Sequence, residues 1–73
     1  MKLFDNKEKE IILKLLENNG RLSQSKLVNK TNLSKVQVFR TLEKLKECGI
    51  ISKESRGKIN IIELDKEFYK NIE

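Results

Sequence analysis

An α+β fold, a winged helix-turn-helix, is what this 73-residue sequence predicts, and three observations carry the prediction. Two helical patterns, one capped by Ser23 and one by Ser34, are separated only by the short turn Thr31-Asn32-Leu33. The apolar period changes from helical to alternating directly after Gly49. The run from Asn18 to Leu42 contains Arg21, Lys26, Lys30, Lys35 and Arg40 and no acidic residue. The length allows one domain over residues 1–73, with the helix-turn-helix at 23–49, a wing at 50–64 and a C-terminal helix at 65–73.

The first helix is expected to start at Asp5 or Asn6, because Asp5 and Glu8 stand in the spacing of a capping box. Ile11, Ile12, Leu15 and Leu16 form its buried stripe, and Asn19-Gly20 ends it, with Gly20 as the left-handed residue. Arg21-Leu22-Ser23 is too short for an independent strand and fits the edge of a small sheet. Ser23 caps a helix from Gln24 to Lys30 that buries Leu27 and Val28. In the turn that follows, Asn32 is the expected left-handed residue, since Asn tolerates that conformation better than any residue but Gly.

Ser34 caps the next helix, with Gln37 at the reciprocal box position, and the helix is expected to run to Cys48 before Gly49 stops it. Residues 50–55 and 58–64 are strand-like and flank Arg56-Gly57, which reads as the hairpin turn. Alternation puts Asn60, Ile62 and Leu64 on one face of the second strand and Ile59 and Ile61 on the other. Both faces are partly apolar, so the pattern leaves the inward face open. Asp65 caps a short terminal helix with Phe68, Tyr69 and Ile72 along one side.

The net charge of +5 is concentrated on residues 21–49, where Arg21, Lys26, Lys30, Lys35, Arg40, Lys44 and Lys46 outnumber Glu43 and Glu47. Residues 1–20 are balanced. A basic excess confined to a helix-turn-helix implies a polyanion lying against it, and double-stranded DNA is the expected partner. On a helical wheel, Val38, Leu42 and Leu45 face the core, while Val36, Arg40, Glu43 and Glu47 face away. The outward N-terminal half, Lys35, Val36, Gln37 and Arg40, is the part that enters a major groove in this geometry, with Lys44 on the flank. Arg can bond both guanine acceptors, Gln can pair with adenine, and an exposed Val can meet a thymine methyl. Phe39, near about 100° on the wheel, is expected to pack rather than to read bases. Lys26 and Arg21 are expected at phosphates, as are the wing-tip cations Arg56 and Lys58, on flanking backbone or in a minor groove.

The chain has no His and one Cys, so the commonest general base is absent and neither a zinc site nor a nucleophile pair can form. Cys48 is expected to fill space near the end of its helix. No catalytic residues, cofactor, metal or small-molecule ligand are expected. A lone Cys, the lack of a long apolar run and a polar start suit a cytoplasmic protein with no membrane insertion.

Residues 22–64 resemble the winged helix-turn-helix domain of MarR-like transcription regulators, above all archaeal ones with a helix of the form LSKVxVxRxLxxLxxxGII and a wing ending in GxxNxIxL. The matching positions are Leu33-Ser34-Lys35-Val36, Val38, Arg40, Leu42, Leu45 and Gly49-Ile50-Ile51, then Gly57, Asn60, Ile62 and Leu64. The resemblance implies a DNA-binding fold with Ser34, Lys35, Gln37 and Arg40 toward DNA and Arg56 or Lys58 on the wing. It also implies that Asn60, Ile62 and Leu64 face inward. Asn32 stands where that family usually has Gly, and the long dimerisation helices of complete MarR proteins are missing. The expected function is sequence-selective recognition of double-stranded DNA in transcription regulation. The rival is a winged-helix module that binds protein and not DNA. A homodimer is expected through the terminal segments, which offer Leu3, Phe4, Phe68, Tyr69 and Ile72.

Overall fold

A computed structural model describes residues 4–71, without the side chains of Tyr69 and Asn71. The order is α1 (Asn6–Glu17), β1 (Arg21–Ser23), α2 (Gln24–Lys30), α3 (Lys35–Glu47), β2 (Ile51–Arg56), β3 (Ile59–Leu64) and α4 (Lys66–Asn71). The three strands form an antiparallel sheet in the order β1-β3-β2, so the last strand lies at the centre. This is a winged helix: a helical core closed by a hairpin, with the short β1 completing the sheet.

Local chemistry fixes the helix ends. Asp5 and Glu8 form the capping box of α1, each carboxylate accepting from the other's backbone N–H at 2.8 and 2.9 Å. Ser34 and Gln37 do the same for α3. Ser23 caps α2 through Lys26 N–H. Helix α3 ends one residue sooner than expected, with Cys48 as its cap. Gly49 at φ +74° lets Ile50 N–H reach back to Leu45 O at 3.0 Å. Cys48 is exposed rather than a filler, because it lies after the last helical turn and off the core stripe.

Gly20 is left-handed as expected, whereas the expectation for Asn32 is corrected. At the end of α1 the left-handed stretch begins at Asn19 (φ 61°), one residue before Gly20 (φ 81°), whose N–H bonds Leu15 O at 2.6 Å. Asn32, by contrast, has no positive φ. The helix-turn-helix bends at an extended Thr31, whose hydroxyl donates to Leu27 O at 2.7 Å. The Asn32 N–H donates to Glu10 Oε2 of α1 at 2.7 Å. A carboxylate from another helix therefore holds the turn, and no left-handed residue is required.

The hairpin turn also shifts by one residue. Arg56 pairs with Ile59, leaving Gly57-Lys58 as a two-residue loop with φ +61° at its first position only, the pattern of a type II′ turn. Ile62 and Leu64 are buried while Ile59 is 55% exposed, so the face bearing Asn60, Ile62 and Leu64 is the inner one, as the resemblance implied. The core joins Ile11, Ile12 and Leu15 of α1 to Leu27, to Val38, Leu42 and Leu45 of α3, and to Leu22, Ile51, Ile62 and Leu64 of the sheet. Leu16 and Val28 pack against it half-buried. Asp65 Oδ2 accepts from Glu67 and Phe68 N–H at the start of α4. Phe68 then meets Phe4 edge-on, with ring centroids 5.9 Å apart, so α4 folds back on the entry to α1. Leu3, Ile72 and the Tyr69 side chain lie outside the described residues.

Candidate nucleic-acid interface

The N-terminal half of α3 stands free of the core because only Val38, Thr41, Leu42 and Leu45 point inward. Lys35, Val36, Phe39 and Arg40 line its outer side. With Gln24 of α2 they enclose an open hollow of about 310 Å³ whose walls are almost wholly apolar. Arg40 is exposed and has no ion-pair partner among the described residues. Lys44 is exposed one turn beyond Arg40, on the flank that Gln37 shares.

Phe39 departs from expectation. It is 48% exposed, and its neighbour one turn back, Val36, is 58% exposed. The core behind α3 is already filled by Val38 and Leu42, so a boundary aromatic has nowhere inward to go. The ring packs instead against a cation: Lys53 Nζ of β2 lies 5.6 Å from its centroid, within cation–π range. Lys53 pairs with Ile62 across the ladder and therefore rises from the inner face of the wing, toward α3. Sequence inspection missed Lys53, because a lysine in an alternating strand carries no mark of its face until the partner strand's buried side is known.

The wing cations separate. Lys58 shares a cleft of about 190 Å³ with Gln24, Ser25, Val28, Lys35 and Asn60, so it stands beside the start of α3. Near the tip, Ser55 Oγ donates to Asn60 Oδ1 at 3.0 Å across the same inner face. Arg56 lies on the outer face of the hairpin, where its Nε is 3.4 Å from Glu54. Arg21 is on that face too, 3.8 Å from the same carboxylate. Both pairs are exposed and contribute little to stability, but they halve the local charge that Arg56 and Arg21 offer. Lys26 is exposed and lines a groove with Arg21, Ile59 and Ile61, so it is set apart from the α3 hollow.

Ser34 and Gln37 are placed at the tip of α3 with part of their bonding already committed. Gln37 Oε1 accepts from Ser34 N–H at 3.0 Å. Bidentate pairing with adenine needs that oxygen, and its second lone pair is the one left to accept, beside the amide NH₂ donors. Ser34 Oγ accepts from Gln37 N–H at 3.2 Å, and its own hydroxyl proton remains free to donate to a phosphate oxygen. Among the described residues there is no group of His, Cys, Asp and Glu suited to a metal, and no helix is long and apolar enough to cross a membrane.

The same fold occurs in an ArsR-family transcriptional regulator, RHA00566, with a TM-score of 0.73 and 16% identity over 93% of this chain and 68% of that one. A second solved structure, concerned with the DNA recognition and protein interaction domains of HOP2, is similar at TM-score 0.67 and 26% identity over 82% of this chain and all of that one. In sequence, the chain is 34% identical over 67 residues to the uncharacterized protein MJ1254 of Methanocaldococcus jannaschii. That match covers 92% of this chain and 14% of the relative, so the chain spans about one seventh of that protein's length. The family described as a domain of unknown function, DUF7343, matches residues 3–65. The chain thus belongs to the DUF7343 family, on a winged-helix fold.

Proposed function

We propose that this domain is a non-catalytic, sequence-selective binder of double-stranded DNA that acts in transcription regulation, in the manner of MarR-like regulators. The observation that carries this reading is the surface of α3 and the inner wing: Lys35, Arg40, Lys53 and Lys58 are cations there without an ion-pair partner among the described residues. In the proposed complex α3 enters the major groove. Arg40 reads guanine, Lys35 and Ser34 sit at its rim, and Lys44 and Lys58 meet flanking phosphates. Lys26 contacts a neighbouring phosphate from α2. The likeness to a transcriptional regulator and to a DNA-recognition domain supports the reading at the level of fold.

Arg40→Ala tests it. On a selected duplex this variant loses roughly 1–3 kcal/mol of binding, while on a scrambled duplex it loses much less. Lys58→Ala weakens both duplexes alike. Equal losses for Arg40→Ala reduce it to a phosphate contact, and absence of duplex binding at low salt leaves the protein-interaction module as the function.

A single recognition helix reads about half of a two-fold site, so this reading includes a homodimer through the terminal segments. Phe4 and Phe68 already cover each other in part within one chain, which reduces the apolar surface left for a partner. Sedimentation of the intact chain at high micromolar concentration is expected to give a dimer, and a form ending at Leu64 a monomer. A monomeric intact chain removes the dimer from the proposal.

A further inference from the structure

Exposed apolar side chains on a recognition surface are informative when they adjoin one another, and Val36 and Phe39 do. They stand one helical turn apart, both about half exposed, and form the apolar wall of the hollow that Lys35, Arg40 and Gln24 complete. No carboxylate lines that hollow. Beside it, Lys53 Nζ lies 5.6 Å from the centroid of the Phe39 ring. An apolar patch bounded by Lys35, Arg40 and Lys53 is poorly suited to the apolar face of a neutral protein partner, which would leave those charges beside unmatched surface. It is well suited to an apolar group embedded in an anionic lattice. In duplex DNA the one apolar group displayed on the major-groove floor is the thymine C5-methyl.

We propose that Val36 and Phe39 together form a thymine-methyl reader, with the Phe39 ring held in place by Lys53. This rests on the DNA-binding reading above and assigns its base preference: thymine beneath the Val36–Phe39 wall, next to the base pair that Arg40 contacts. Phe39 supplies the wider surface and Val36 the closer contact at the helix tip. Lys53 fixes the ring against the inner wing and puts a cation near the adjoining phosphate. A methyl shielded from water by such a wall is worth roughly a fourfold change in affinity.

The test uses the intact chain and a duplex selected from random sequence. Each thymine is replaced in turn by deoxyuridine, which removes only the methyl group. For the unaltered protein, one or two positions are expected to lose about fourfold in affinity each, and the other thymines nothing. In Val36→Ala/Phe39→Ala the sensitive positions become indifferent to the methyl. Both residues are half exposed, so the variant keeps its fold, which its melting temperature verifies. At a position where deoxyuridine was costly, 5-methylcytosine paired with guanine should bind more tightly than cytosine paired with guanine, since those two pairs differ by the methyl alone. Selective binding with no uracil-sensitive position overturns the methyl reader and leaves the DNA-binding reading intact. Persistence of the uracil effect in the double variant also overturns it. Failure to select any duplex overturns both.

Discussion

Ile62→Ala is expected to destabilise the protein by about 2–5 kcal/mol, a large share of what a domain this small can hold. Ile62 is fully buried on the central strand, between Leu22 on β1 and Lys53 on β2, and its side chain belongs to the core shared by all three larger helices. Removing it leaves a cavity in the core that the sheet shares with the helices. A loss of about 3 kcal/mol corresponds to a fall in Tm of roughly 12–24 °C for a domain of this size. Ile59→Ala is the matched control. It lies three residues away on the same strand but on the outer face and is 55% exposed, so the expected change is within about 0.5 kcal/mol. Thermal denaturation followed by circular dichroism measures both. Equal losses would place the wrong face of β3 inward.

DNA affinity is expected to fall steeply with salt, with a log–log slope of about −4 per protomer. Over a fourfold rise in salt this amounts to a loss of roughly 250-fold. The slope counts phosphates neutralised, and the cations proposed at phosphates, Lys26, Lys44, Lys53 and Lys58, supply that number without Arg21. Lys58→Ala should make the slope shallower by about one. Arg56→Ala should leave it nearly unchanged, because the strand register sets Arg56 on the outer face of the hairpin, beside Glu54. Binding measured by fluorescence anisotropy over a salt series separates the two variants. A slope near zero for the unaltered protein would remove the phosphate contacts altogether, and equal effects of Arg56→Ala and Lys58→Ala would mean that the wing binds as an undifferentiated cation pair.

The sequence by itself determined the elements and their order. The capping boxes of Asp5 with Glu8 and Ser34 with Gln37, the Ser23 cap and the stop at Gly49 act over three to five residues. Chemistry of that range is complete in a short window, so helix ends were legible within a residue. The apolar stripe of α3 was legible for the same reason, and with it the outward position of Lys35, Val36 and Arg40. Tertiary structure decided whatever depended on which surface a partner covers. Ile59 and Ile61 are as apolar as Ile62 and Leu64, and only the packing of helices against one face of β3 makes the second pair the core. That choice carried Lys53 and Lys58 toward α3 and Arg56 away from it, a separation that two neighbouring cations at a turn do not reveal. It also left Phe39 exposed, because Val38 and Leu42 already occupy the space behind the helix. The turn at Asn32 was decided at long range too: the carboxylate of Glu10, 22 residues earlier in the chain, bonds the backbone there. Caps and periods act within a few bonds of themselves, whereas the facing of a strand, an aromatic or a turn depends on groups that folding brings from elsewhere.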